Sequence, residues 1–169
     1  LVDNDNIQAG FDATEYFIKK GCRHIAFIGG TKKLFVTQDR YTGYENALKE
    51  HQLELDPQST AFVTEFLEEK GYQFTKRLLA KNPNIDAIIT TDSLLASGVC
   101  DFLSSQNLTI PVLSFDSVDP KLDLAAYVDI NTLELGRVSF QTILQIINDT
   151  KENRKICYRQ LISHKIIER

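Results

Sequence analysis

The chain has 169 residues, 43% of them hydrophobic and 25% charged, with a formal net charge of −4. That is the balance of a globular protein long enough for a real core, either one ordinary domain or the larger part of a two-lobed one. The acidic balance and the lack of any basic tract exclude nucleic-acid binding through the chain's own charge, and apolar runs as short as Ala87 to Thr90 exclude a membrane-spanning helix. Leu1 is followed at once by Asp3, Asn4 and Asp5, which is not the start of a signal peptide. The sequence contains no Met, so it reads as an excised piece or a mature product of something longer. Cys22, Cys100 and Cys157 form no CxxC pattern, and His24, His51 and His164 are equally scattered. They fit reduced thiols of a cytoplasmic protein and predict neither metal nor cofactor.

The pattern then alternates along the chain. Ile7, Phe11, Thr14 and Ile18 make one helical face that ends at Gly21, a suitable C′ residue. HIAFIGG, from His24 to Gly30, is an apolar run closed by two glycines, which predicts a buried strand and a loop. A helix follows from Gln38 to Gln52, with Thr37 as N-cap and Tyr41, Tyr44 and Leu48 as its buried stripe. Ala61 to Phe66 predicts a second strand, Lys70 to Lys81 a helix stopped by Asn82 and Pro83, and Asp86 to Thr91 a third strand. Asp92 caps a helix from Ser93 to Gln106, and Pro111 to Asp116 and Ala125 to Ile130 are further strands. A long helix from Leu133 to about Asn148 and a charged linker from Lys151 to Lys155 precede extended structure from Cys157 to Ile167. Strands and helices at this spacing imply right-handed βαβ units, hence an α/β fold with a doubly wound parallel sheet. Ligands of such sheets bind beyond the carboxyl ends of the strands. Gly29–Gly30, Phe66, Thr91–Asp92 and Asp116 therefore matter most.

Catalytic motifs find little support. IGGTKK is neither GxxxxGK[ST] nor GxGxxG, so its glycines read as a turn of the chain. No GxSxG elbow is present, and Asp39, Asp92 and Asp116 fit caps or binding groups better than a general acid–base set. The chain is not expected to be an enzyme. Taken singly, Phe66 reads as core, Asp116 as the start of a turn with Ser117, and Arg40 as a surface ion-pair partner. Together they share one edge of the predicted sheet.

The helix over VTQDRYTGYENALKEH breaks two local rules, and that edge explains both. Arg40 puts a cation into the first turn of a helix, where the macrodipole favours anions by ~0.3–1 kcal/mol. Gly43, one turn later, costs ~1 kcal/mol relative to Ala. An arginine there can aim its planar fork across the ligand crevice at adjacent hydroxyls or a carboxylate, and Gly43 would let the helix approach the sheet.

These segments resemble the effector-binding core of the lactose-repressor (LacI/GalR) family of bacterial transcription regulators over nearly the whole chain. VDNDNIQAGFDATEYFIKKGCRHIAFIGG is similar to the family's VDNxxxxGxxxATxxLIxxGHxxIAxIGG, and DRYTGYENAL to its RxxGYxxAL. EEKGYQFTKRLL is similar to SGYxAxxxLL and DAIITTDSLLASGV to DAIFxxNDxxAxGA, while YVDINTLELGRVSFQTIL resembles the stretch around the family's ELG helix. The resemblance implies a periplasmic-binding-protein-like fold of two lobes, a small effector (a sugar or sugar phosphate) in the cleft, a homodimer, and operator DNA read only by an N-terminal headpiece outside this chain. Residues 3–129 and 157–169 would build the second, C-terminal lobe, and about 130–156 would return to a first lobe that is otherwise missing. Arg40 matches the sugar-contacting arginine, Phe66 the aromatic that stacks on the ligand, and Asp116 the strand-end aspartate. Asn4 or Asp3 falls where a crossover strand faces the cleft, with the register open by one residue.

Departures are informative. Thr91 stands where the family has Asn, so one hydroxyl replaces an amide contact to the ligand. Ile130 stands where Gln is common, and IPVLSFD shortens VPEDVSVVGFD, which alters the fourth strand and the local pose of Asp116. VTQDRYTGY and YVDINTLELG resemble most the branch of maltose and sucrose operon repressors. A repressor of a carbohydrate-use operon is the function implied. The same fold in a sugar-binding transport protein is the alternative, and an α/β enzyme a more distant one.

Overall fold

The computed structural model describes residues 1–116, 119–152, 154 and 156–169. Its main sheet has the strand order β3-β2-β4-β5-β6-β8. The strands are β2 (Ile25–Gly29), β3 (Thr60–Phe62), β4 (Ala87–Thr90), β5 (Val112–Phe115), β6 (Ala126–Asp129) and β8 (Lys165–Glu168). The first five run parallel, and β8 closes one edge antiparallel to β6. The doubly wound parallel sheet expected from the sequence is present, with this reversed edge strand added. Cys157 to Ile167 does not form one extended run. It contributes β7 (Gln160–Ile162), which pairs in parallel with β1 (Val2–Asn4) in a separate two-stranded sheet, and then β8.

Four helices cover the main sheet: α1 (Asn6–Lys19) and α2 (Phe35–Glu50) on one face, α3 (Glu68–Lys81) and α4 (Ser93–Ser105) on the other. Alternation along β2 explains the two cores. Ile25 and Phe27 face α1 and α2, Ala26 and Ile28 face α3 and α4, and every residue of the strand is buried. Such two-sided burial is why parallel strands read as continuous apolar runs. The buried face of α1 differs from the predicted one. Ala9, Ala13 and Phe17 lie at its centre with Thr14 and Ile18, whereas Ile7 is exposed and Phe11 only half-buried. Small residues take the centre because α1 crosses α2 at very close range. A Cβ on Gly43 would strike the Ile7 carbonyl and the Phe11 nitrogen, and one on Gly10 the Arg40 backbone. Gly43 therefore lets α2 approach a neighbouring helix and not the sheet, which corrects the expectation. Gly21 does end the first helix, in the left-handed region at φ +96°.

The other helix pair repeats the device, since a Cβ on Gly98 would overlap the Glu68 carbonyl. Gly98→Ala should destabilise the fold by about 1–3 kcal/mol through overpacking, although Ala has the better helix propensity. Urea unfolding measures this directly, and a rise in midpoint would show that the two helices are not in close contact.

The last helix, α5 (Thr132–Lys151), is longer than predicted and starts from Asn131, whose Oδ1 accepts from the Glu134 amide. Its Leu133, Phe140, Ile143, Leu144, Ile146 and Ile147 are exposed, and only Val138, Thr142 and Asp149 are buried. Among the described residues nothing covers this apolar face. The chain passes between the small and the main sheet at Asn4–Asn6 and Ser163–His164, and Ile130–Asn131 leads from β6 into α5 beside β1. Ser117, Asn153 and Lys155, which figured in the expected turn and linker, lie outside the described residues.

Candidate functional site

The main sheet reverses its order between β2 and β4: the next strand after β2 lies on one side, and the strand after β4 on the other. The loops leaving these strands separate there and open a crevice at the carboxyl ends. Gly29–Gly30 leaves β2 and Thr91–Asp92 leaves β4 at this point.

Arg40 reaches the crevice from α2. The helix begins at Phe35, with Leu34 as an N-cap that makes no side-chain capping bond. Thr37 is thus not the cap but a buried residue of the first turn, 1% exposed. The loop before the helix is braced from inside: Gln38 Nε2 donates to the Lys32 carbonyl at 2.6 Å. Arg40 then sits in the second turn, outside the strongest field of the helix terminus. The dipole conflict read from the sequence is therefore milder than expected, while the burial is greater. At 6% exposure, the side chain donates from Nε to Asn6 Oδ1 (3.0 Å) and from Nη1 to the Thr91 carbonyl (2.8 Å). Its guanidinium lies 4.1 Å from the centroid of the Phe115 ring, a cation–π contact. Burial draws its pKa down to about 10, opposed by the negative charges of Asp116, Asp92 and Asp3. It stays charged at neutral pH. Among the described residues no hydrogen bond engages Nη2, so part of the fork is fixed by the protein and part is uncommitted.

Asp116 ends β5 with φ +55°, an uncommon conformation that Asp tolerates better than most residues. Its amide donates to the Val128 carbonyl at 3.0 Å, while the residue itself is exposed. Partial burial raises its carboxyl pKa; Arg40 and the Ile130 backbone oppose that, and Asp129 adds to it. An exposed acceptor in a sparsely populated conformation lies within electrostatic reach of a buried cation with an uncommitted donor. That combination is common at binding sites.

Phe66 does not lie on a strand. β3 ends at Phe62, the Val63 amide makes one more bond to the Gly29 carbonyl (2.8 Å), and the chain then leaves the sheet. The half-buried Phe66 ring lies against Gly30, where a Cβ would collide with it. The glycine pair thus does more than turn the chain, because it makes room for an aromatic ring at the edge of the crevice.

Thr91 is turned inward. Its hydroxyl accepts from the Gly30 amide (3.1 Å) and donates to Asp92 Oδ2 (3.4 Å), and the residue is 5% exposed. It ties the loops after β2 and β4 together and supplies Arg40 with a carbonyl. Asp92 caps α4 as predicted, with Oδ1 accepting from the Leu95 amide at 3.0 Å. Burial raises its pKa, and the amides of Leu95 and Leu94 resist that rise. Asp92→Ala should cost about 1 kcal/mol of stability and Asp92→Asn much less, as thermal unfolding would record. Equal losses would mean that charge, and not capping, is what counts.

Asp3 and Asn4 divide their roles along β1. Asn4, 6% exposed, donates from Nδ2 to the Ile130 carbonyl at 2.6 Å. Asp3 is half-buried, accepts from the Asn4 amide (2.8 Å) and lies within the electrostatic reach of Arg40. Sequence reasoning missed Asn6 and Phe115, which hold Arg40 in place. Phe115 falls inside the strand predicted from Pro111 to Asp116, and Asn6 immediately precedes the helical face that starts at Ile7. A polar hollow of about 490 Å³, lined by Arg23, His24, Asp56 and Asn82 among others, lies at the opposite, amino ends of the strands. There Asp56, Ser59 and Asn82 already bind one another at 3.0 Å.

Comparison with known proteins agrees with this geometry. Residues 1–168 match the family described as periplasmic binding proteins and sugar binding domain of LacI family. The HTH-type transcriptional regulator MalR of Streptococcus pneumoniae serotype 4 is 72% identical over 169 residues, all of this chain and 52% of MalR. The ribose operon repressor of Haemophilus influenzae is 30% identical over 164 residues, 90% of this chain and 47% of that protein. The chain thus spans about half the length of these relatives. Among solved structures, a regulatory protein of LacI family from Chloroflexus aggregans superposes with a TM-score of 0.88 at 25% identity, covering 99% of this chain and 62% of the other. The chain belongs to the family of periplasmic binding proteins and LacI-family sugar-binding domains.

Proposed function

We propose that this chain is the effector-binding part of a cytoplasmic transcriptional repressor that responds to a sugar or sugar phosphate. The observation that carries the reading is the pairing of a buried Arg40, with Nη2 uncommitted, and an exposed Asp116 at the end of β5. A donor and an acceptor fixed at one crevice suit vicinal hydroxyls, and the Phe66 ring suits the apolar face of a pyranose. Asp3 completes the polar rim, Thr91 supports it by holding Arg40 through its carbonyl, and Asn4 braces it from behind. The identity to MalR supports a regulator over a transport protein.

In the whole protein, residues 3–129 and 157–169 form the second lobe. The segment about 130–156 returns to a first lobe supplied by the remaining length, which covers the exposed face of α5. A homodimer then binds operator DNA through N-terminal headpieces, and lobe closure on the effector shifts their spacing, a coupling of typically ~1–3 kcal/mol.

The test is calorimetric titration of the whole protein with maltose, sucrose and glucose 6-phosphate, followed by operator binding with and without the sugar. Saturable binding that changes operator affinity supports the proposal. Turnover of a sugar, or binding with no effect on DNA, would replace it with the enzyme or transport reading.

A further inference from the structure

Arg40 is connected to both segments that border the small sheet by a chain of buried hydrogen bonds. Its Nε donates to Asn6 Oδ1 (3.0 Å), Asn6 Nδ2 donates to the Asn4 carbonyl (3.3 Å), and Asn4 Nδ2 donates to the Ile130 carbonyl (2.6 Å). Exposure is 6% for Arg40, 4% for Asn6, 6% for Asn4 and 9% for Ile130, so water does not compete for these bonds. Asn4 ends β1, and Ile130 lies between β6 and α5. Asn6, the first residue of α1, is buried between Arg40 and the last residue of β1 and joins the two. One amide orientation satisfies both of its bonds. Flipping it would set its NH2 group against the Arg40 Nε–H and its oxygen against the Asn4 carbonyl.

We propose that Asn6 is a positioning residue that transmits occupation of Arg40 to the crossing segments at Asn4 and Ile130. This rests on the reading of Arg40 as a ligand-binding group. A ligand that draws the guanidinium outward through Nη2 must carry or break the bond from Nε to Asn6, and buried polar groups left unpaired are costly. The Asn6 amide therefore moves with Arg40, and the Asn4 carbonyl follows or loses its donor. In this way a shift at the sugar reaches the point where the chain changes sheets.

A mutant cycle without ligand tests the linkage. Arg40→Lys removes the Nε–H that Asn6 accepts, and Asn4→Ala removes the Nδ2 bond to the Ile130 carbonyl while keeping the carbonyl that Asn6 binds. The two substitutions thus cut opposite ends of the chain, at side chains that make no hydrogen bond to each other. Their effects on the unfolding constant should depart from additivity by about threefold or more, as for residues in one network. In an Asn6→Leu background they should become additive. Additivity with Asn6 present would overturn the proposal.

A second arm uses maltose and hydrogen exchange at the Asp5 and Asn131 amides. Binding should slow exchange at both in the unsubstituted protein. Asn6→Asp keeps an acceptor for Arg40 but cannot donate to Asn4, so, compared at saturating maltose, it should lose the slowing at Asn131. Undiminished slowing in Asn6→Asp would also overturn the proposal. Failure of the unsubstituted protein to bind maltose would count against the effector reading alone, since the ligand-free cycle still decides the linkage.

Discussion

Arg40→Lys is expected to weaken sugar binding by tenfold or more and to lower stability as well. The affinity loss follows from replacing a planar fork by a single ammonium, which cannot donate to a sugar hydroxyl while also reaching Asn6 Oδ1 and the Thr91 carbonyl. One hydrogen bond from a charged donor contributes about 1.5–3 kcal/mol, which spans roughly tenfold to a hundredfold in Kd. From sequence alone Arg40 reads as a fork pointing across the ligand crevice, whose replacement would leave folding nearly intact. Its 6% exposure requires a different outcome. An acceptor left unpaired at Asn6 or Thr91 costs about 1–3 kcal/mol, so urea unfolding should show a loss in that range. Calorimetry on the two proteins measures the other half. Equal affinities would remove Arg40 from the ligand site, and a loss of stability alone would make it a purely structural arginine.

Phe66→Ala should give the opposite division, with a large effect on binding and a small one on folding. The ring is half-buried and lies beyond the end of β3, whereas Phe115 is 0% exposed within β5. Truncating a fully buried Phe costs about 3–5 kcal/mol, and that is the expectation for Phe115→Ala. For Phe66→Ala a smaller loss, about 1–2 kcal/mol, is expected, because the ring is only partly buried at the edge of the core. Loss of ring stacking should lower sugar affinity by roughly threefold to tenfold. Thermal unfolding and titration of both variants distinguish the residues. A drop in melting temperature as large for Phe66→Ala as for Phe115→Ala, with binding unchanged, would return Phe66 to the core.

Periodicity and punctuation made most of the fold legible. The run from Ile25 to Gly29 and the cap at Asp92 both appear where the local pattern puts them, because buried parallel strands and N-caps depend on few neighbours. Errors gathered where tertiary contact overrides local preference. Phe66 looked like the end of a strand because apolar residues continue past Phe62, yet the pairing with β2 ends at Phe62, followed by a single bond from Val63 to Gly29. Gly43 was recognised as a close-approach glycine, but its partner, the backbone of α1, is more than 30 residues away in sequence. Thr37 is not the cap because its own amide and that of Gln38 donate to the Leu34 carbonyl, so the helix starts earlier than its polar residues mark.

The candidate site was legible by residue type through Arg40, Asp116 and Phe66. Its support was not. Asn6 and Phe115 act through geometry alone: one is a polar residue in the first turn of a helix, the other an aromatic in a strand. Neither departs from its local pattern, so nothing in the sequence marks it. Thr91 shows the converse. A position expected to offer a hydroxyl to the ligand instead directs it to the Gly30 amide and Asp92.

A crystal structure of the whole protein with a bound sugar tests the central claim most directly. Sugar hydroxyls are expected within about 3 Å of Arg40 Nη2 and of the Asp116 carboxylate, with the pyranose face on Phe66. A sugar seated elsewhere, such as the hollow beside His24 and Asp56, with Arg40 Nη2 facing only solvent, would contradict it.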